Sequence, residues 1–167
     1  RRFNKKFAGD REVYPEPDAL LSSAPVILGL DGSQKMSKSR NNSIMLRATE
    51  DETAKLVKKA KTDTDRLITY DPDKRPEVSN LLRMAGIATV RSPESIAEEI
   101  GDGGAGKLKA FVTEALNSHL APIRARRREI EKDPERVRDI LRRGIQRARE
   151  EAEKTLAEVR TVMNMDI

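Results

Sequence analysis

Apolar positions along this chain follow two rhythms. Over roughly the first fifty residues they come in short clusters cut by proline, and beyond that they recur at helical spacing. Pro15, Pro17 and Pro25 exclude a long helix between residues 13 and 30. The run Pro25-Val26-Ile27-Leu28-Gly29-Leu30, closed by Asp31-Gly32, predicts a buried strand or near-extended segment leading into a turn. Residues 2–7 read as the last turns of a helix ending near Gly9. Because the chain opens Arg1-Arg2-Phe3-Asn4 with neither Met nor a cap, a preceding segment is expected.

Helical signals dominate after residue 48. Thr49 and Glu52 form a capping-box pair that starts a helix running to about Lys61. Thr62-Asp63-Thr64-Asp65 and Tyr70-Asp71-Pro72-Asp73 break the pattern. Pro76 suits a first helical position, with Val78, Leu81, Leu82 and Ala85 inward and Gly86 as the stop. Ser92-Pro93-Glu94 opens a short helix ending near Gly101. Leu108, Phe111, Val112, Ala115, Leu116, Leu120 and Ile123 mark a longer one, which Pro122 is expected to kink or end early. Asp133-Pro134 opens the last helix. Its stripe of Val137, Ile140, Leu141, Ile145, Ala148, Ala152, Leu156, Val159 and Met163 predicts packing against neighbouring helices.

Composition narrows the chemistry. The 167 residues contain no Cys and one His, which removes zinc fingers, zinc hydrolase sites, thiol chemistry and disulfide scaffolds. Aromatics are 3% and Trp is absent, so base-stacking platforms are not expected. The net charge of +5 favours a polyanionic partner, although 33 basic and 28 acidic residues can largely pair along helix faces. No apolar run reaches the roughly 20 residues of a membrane span, and no signal-peptide pattern is present. His119 lies in a helical run and reads as a core or surface residue. The glycines at 101, 103, 104 and 106 lack a preceding strand and a following Lys-Ser/Thr, and read as a helix–helix connection rather than a phosphate loop.

One stretch calls for an explanation. Residues 29 to 47 place Lys35, Lys38 and Arg40 among serines and asparagines, directly after the apolar run. Mobile ammonium groups with small hydroxyl donors suit phosphate oxygens. Lys35-Met36-Ser37-Lys38-Ser39 resembles, letter for letter, the KMSKS signature of class I aminoacyl-tRNA synthetases. Leu30-Asp31-Gly32 before it and Asn41-Asn42-Ser43-Ile44 after it are similar to the tryptophanyl/tyrosyl subgroup. Ala60-Lys61-Thr62-Asp63, Ser79-Asn80-Leu81-Leu82, Leu120-Ala121-Pro122-Ile123-Arg124 and Ile140-Leu141-Arg142-Arg143-Gly144 resemble the bacterial tryptophanyl type in order and spacing.

The resemblance, to the C-terminal portion of such an enzyme, implies a mainly α chain. Residues 1–48 would end a Rossmann-type α/β catalytic domain, and residues 49–167 would form a helical bundle domain that helps bind the anticodon region of tRNA. The activity implied is ATP-dependent activation of tryptophan and transfer to tRNA(Trp), with ATP and Mg²⁺ as cofactors. Lys35 and Lys38 are the implied catalytic cations, with Val26, Met36, Ser37 and Ser39 joining them in ATP binding, and Asn41 bracing the loop. No metal ligand is singled out on the chain. The histidine-bearing loop and amino-acid pocket of the family are not in this sequence, so the chain alone is expected to be inactive. Arg124, Arg126, Arg127, Arg128, Arg136, Arg138, Arg142, Arg143, Arg147 and Arg149 supply candidate RNA contacts. A cytoplasmic homodimer without membrane contact is implied for the complete protein. The alternatives are a stand-alone helical tRNA-binding module or a tyrosyl-specific relative.

Overall fold

The computed structural model describes residues 1–165. Among these residues five α-helices follow one another: α1 (Glu50–Lys59), α2 (Pro76–Thr89), α3 (Pro93–Ile100), α4 (Gly104–Ile130) and α5 (Pro134–Val162). The chain divides into two compact units. Leu21–Arg128 is the larger; the two ends, Arg1–Leu20 and the stretch from Glu129 on, form the other. No helix among the described residues is long and apolar enough to cross a membrane.

Local chemistry sets the helix starts. Thr49 and Glu52 close a full capping box, the hydroxyl accepting from the Glu52 amide at 3.2 Å and the carboxylate accepting from the Thr49 amide at 2.8 Å. Ser92 accepts from the Ser95 amide and Asp133 from the Arg136 amide, each with proline at the first helical position. The core of the larger unit gathers around α2, where Val78, Leu81 and Leu82 are at most 1% exposed. Val57 of α1, Ile96 and Ile100 of α3, and Leu108 and Val112 of α4 pack into the same cluster. Each such side chain contributes about 1.5–3 kcal/mol of apolar burial.

Several expectations are corrected. No β-strand occurs among the described residues, so the end of a Rossmann-type α/β domain is not what precedes the helices. The apolar run 25–30 is extended but makes only an isolated antiparallel bridge, Leu28 with Lys35. Its backbone groups are satisfied by a side chain of α2 and by its own returning loop, leaving no ladder to propagate. The same finding overturns the expectation that this chain forms part of a tryptophan-activating catalytic domain. Such α/β centres are built at the carboxyl ends of parallel strands, and the described residues supply none. The all-helical architecture favours the helical-module alternative.

Gly86 does not stop α2, which continues to Thr89. A Cβ at Gly86 would lie 2.7 Å from the Arg91 carbonyl oxygen, so glycine serves close backbone approach there. Pro122 leaves α4 unbroken to Ile130. The apolar stripe of α5 is not buried: no residue of α5 is buried, and Ile140, Leu141, Ile145 and Leu156 are exposed.

Two features generate stability predictions. Val90 caps α2 in the left-handed region at φ 57°, a costly conformation for a β-branched residue, while its side chain is 93% exposed. Val90→Gly relieves that strain without losing packing, and is expected to stabilise the larger unit by about 1 kcal/mol, seen as a Tm rise of about 2–4 °C in thermal unfolding. Arg124 is buried, donating to Asn117 Oδ1 at 3.0 Å and Thr53 Oγ1 at 2.9 Å, with the exposed Glu50 carboxylate 3.3 Å away. It ties α4 to the start of α1. Arg124→Ala should cost roughly 2–4 kcal/mol in urea unfolding, because Thr53 and Asn117 lose their partner and a cavity opens.

Candidate phosphate-contacting loop and nucleic-acid interface

The lysine-bearing loop leaves the extended segment at Gly29 and returns at Asn42, entirely within the larger unit. Its mouth is stitched by backbone bonds. The Met36 amide donates to the Ile27 carbonyl at 2.8 Å, Gly29 to Gln34 at 3.1 Å, and Leu30 to Asn42 at 2.9 Å. Lys35 and Lys38 are exposed, and neither has a carboxylate within ion-pair distance among the described residues. Lys38 opens a single 3₁₀ turn, Lys38–Arg40, closed by Asn41 in the left-handed region. Ser37 and Ser39 hydroxyls lie 3.0 Å apart and share a hydrogen bond. Met36 is half-buried and packs against the core cluster, anchoring the middle of the motif. Val26 is 46% exposed, on the strand-like segment below. Two free ammonium groups, two hydroxyls and an apolar anchor thus lie within five consecutive residues.

The brace of this loop is Asn42, not Asn41. Asn41 is exposed, whereas Asn42 is buried and its Oδ1 accepts from the Ser37 amide at 2.8 Å. Its Nδ2 donates to Asp31 Oδ1 at 3.3 Å. Gly29 is required here, since a Cβ would collide with the Asn42 amide. The Ser33 backbone and hydroxyl, then Asn42, hold the Asp31 carboxyl below its usual range by donating to its ionised form. Below the turn, Lys61 donates its amide to the Leu30 carbonyl and pairs with Glu77 of α2 at 2.7 Å. That bond holds Glu77 below, and raises Lys61 above, their ordinary values. Gly32, at φ +72°, lies so close to the Glu77 side chain that no Cβ would fit.

The arginine-rich region divides into buried, paired and exposed groups. Arg124 is buried and unavailable to RNA. Arg138 pairs with Glu135, and Arg142 with Asp139 at 2.9 Å, as the helical spacing predicts. Arg136, Arg143 and Arg147 are exposed, and no carboxylate lies within ion-pair distance of them among the described residues. At i, i+7 and i+11 they share one face of α5, spanning about 16 Å. His119 is exposed on α4 and lines an open cavity with Glu99, Glu114 and Ser118. Sequence reasoning missed Asn42 and Asn80 as structural partners of the loop; the signal was their place in the stretches Asn41-Asn42-Ser43-Ile44 and Ser79-Asn80-Leu81-Leu82.

Depressed carboxyl pKa values give this loop a pH limit. The contribution of Asp31 and Glu77 is complete above their ordinary values of 3.8 and 4.5 and is lost as pH falls through the lower folded-state values. The Ser37 amide resonance should therefore hold its position at neutral pH and move only in acid, below the ordinary carboxyl values. Asp31→Asn should shrink that acid-induced movement; an unchanged titration in this variant would remove Asp31 as its source.

Known proteins are similar to this chain in both sequence and fold. The family model for tRNA synthetases class I (W and Y) matches residues 1–121. The tryptophan–tRNA ligase of Aquifex aeolicus is 36% identical over 170 residues, covering 99% of this chain and 42% of that protein. That of Nostoc sp. is 35% identical over 167 residues, covering 97% of this chain and 50% of that protein. The chain spans about half the length of the curated relatives it matches. The crystal structure of tryptophanyl-tRNA synthetase from Mycoplasma pneumoniae aligns with a TM-score of 0.79 at 24% identity, over 99% of this chain and 50% of that one, a likeness of fold. That of Campylobacter jejuni aligns at 0.60 and 25% identity, over 96% of this chain and 49% of that one. Matched by the family model over most of its length and by curated relatives over nearly all of it, the chain belongs to the tRNA synthetases class I (W and Y), as a relative of the tryptophanyl-tRNA synthetases.

Proposed function

We propose that this chain is a helical tRNA-binding module of the class I synthetase family, non-catalytic by itself. The observation that carries this reading is the unpaired arginine face of α5. A guanidinium with a carboxylate neighbour spends its hydrogen bonds inside the protein, and among the described residues Arg136, Arg143 and Arg147 have no carboxylate within ion-pair distance. Three such groups along one helical face can follow a phosphate backbone, and the net charge of +5 supports polyanion attraction at longer range. The RNA is tRNA(Trp), the tRNA named by the tryptophan–tRNA ligase relatives. In this proposal the division after residue 48 separates the loop-bearing part from the RNA-binding helices.

The same proposal gives the loop a ligand. Lys35 and Lys38, with Ser37 and Ser39, contact the phosphates of ATP carried with Mg²⁺, while Met36 and Val26 supply apolar surface beside the nucleotide. The cytoplasmic setting and the homodimer of the complete protein belong to the reading as well. They follow from the family rather than from any contact described above.

The tRNA reading is tested by the triple variant Arg136→Gln, Arg143→Gln, Arg147→Gln. The face is exposed, so stability should stay within about 0.5 kcal/mol. Affinity for tRNA(Trp) should fall at every salt concentration. The slope of log K against log salt should become shallower by about 2 to 3, the counterions of three phosphate contacts. An unchanged affinity and slope in a folded variant would refute α5 as the RNA surface.

A further inference from the structure

Asn80 sits on α2, 52 residues along the chain from the segment it holds. Its side chain is 5% exposed and makes both bonds that a neighbouring strand would make to Leu28. The Leu28 amide donates to Asn80 Oδ1 at 2.8 Å, and Asn80 Nδ2 donates to the Leu28 carbonyl at 3.0 Å. A primary amide carries one acceptor and one donor side by side in a plane, which is the geometry a backbone N–H and C=O pair requires. Leu28 is bridged to Lys35, and the adjacent Ile27 carbonyl receives the Met36 amide. Holding Leu28 therefore sets where the first lysine of the motif begins. Asn42 fixes the far side through Ser37, but it lies within the loop and cannot refer it to the helical core.

We infer that Asn80 is a positioning residue for the phosphate-contacting loop. It fixes the register and height of residues 35–38 over α2 without touching the ligand. A buried asparagine on a helix otherwise committed to Val78, Leu81, Leu82 and Ala85 would be a costly core residue if it had no such duty. This inference rests on the phosphate-contacting reading of the loop. It names the group outside the motif that makes the lysines' position reproducible. The polyanion recognised is a linear polyphosphate, the chemistry shared by a nucleoside triphosphate and free tripolyphosphate.

The test uses the full chain with Asn80→Ala and the near-isosteric Asn80→Asp, which keeps the acceptor and removes the donor. Lys38→Ala and the Asn80→Ala/Lys38→Ala pair complete the set. Hydrogen exchange at Leu28, Gly29 and Met36 should rise roughly 10- to 100-fold in Asn80→Ala, the scale of two lost hydrogen bonds, while Ile96, Leu108 and Val112 keep their protection. Affinity for magnesium tripolyphosphate, read by calorimetry, should fall by about 10-fold in Asn80→Ala. The double variant should bind no more weakly than Lys38→Ala alone, because a positioning residue acts only through the group it positions. Wild-type exchange in the loop of either Asn80 variant overturns the inference. So does loss of protection spread equally over α3 and α4, or an additive loss of affinity in the pair. If Lys38→Ala leaves tripolyphosphate binding unchanged, the phosphate-contacting reading fails. The exchange pattern then decides the clamp on its own.

Discussion

An extended backbone segment inside a protein must have its N–H and C=O groups bonded, and residues 27–30 have no neighbouring strand among the described residues to bond to. Most of the larger unit can be understood as the solution to that constraint. Asn80 takes both groups of Leu28, the loop returns to take Ile27 and Gly29, and the Lys61 amide takes the Leu30 carbonyl. Each of these partners comes from a different stretch of sequence. The segment is thereby bound to α2, to its own loop and to the residues following α1 at once. An apolar run that would otherwise be an exposed strand edge becomes the fixed base of a lysine-bearing loop.

The solution has a cost that the rest of α2 offsets. Burying Ser79 and Asn80 on the central helix is tolerable only because each has a backbone partner, the Asp71 amide for Ser79 and Leu28 for Asn80. Around them Val78, Leu81, Leu82 and Ala85 provide the apolar contacts that keep the helix in place. Removing the polar pair would loosen the loop, and removing the apolar set would remove the platform. Position and stability are thus carried by adjacent residues of one helix turn, which explains why Ser79-Asn80-Leu81-Leu82 reads as a single signature.

How much of this was legible depended on the range of the interaction. Thr49 with Glu52, Ser92 with Pro93, and Asp133 with Pro134 act within three residues, and their helix starts fall where the sequence places them. The loop motif itself was equally visible. Gly86 was misread because a helix-stop glycine and a close-approach glycine look alike until Arg91 folds back over it. Of the two readings of residues 25–30, a buried strand or a near-extended segment, the second holds, because periodicity reports that a segment is extended and apolar, not whether a partner strand exists. Arg124 looked like its arginine neighbours, and only the Thr53 and Asn117 side chains brought against it make it a core residue. The apolar stripe of α5 correctly marks a face, but hydrophobic spacing alone does not supply what covers it.

Charge shows the same division between local and distant satisfaction, and it bears most directly on function. With 33 basic and 28 acidic residues, the small excess matters less than which cations are left without acids. Arg75 grips Asp63 with two bonds of 2.6 and 2.7 Å, Lys61 holds Glu77, and Arg91 holds Glu99. On α5 the pairs at i, i+3 neutralise Arg138, Arg142 and Lys154. Lys35 and Lys38 on the loop, and Arg136, Arg143 and Arg147 on α5, are among the cations outside this pairing in the described residues. A cation whose acid is at hand gains little by exchanging it for a phosphate, whereas an unpaired, solvated one exchanges only water and counterions. The two groups differ in kind as well. Flexible ammonium stems on a short loop suit the crowded oxygens of a polyphosphate, while guanidinium forks spaced along a rigid helix suit phosphates spaced along a chain. On α5, local pairing thus occupies Arg138, Arg142 and Lys154 and leaves Arg136, Arg143 and Arg147 among the cations that exchange only water and counterions for a phosphate.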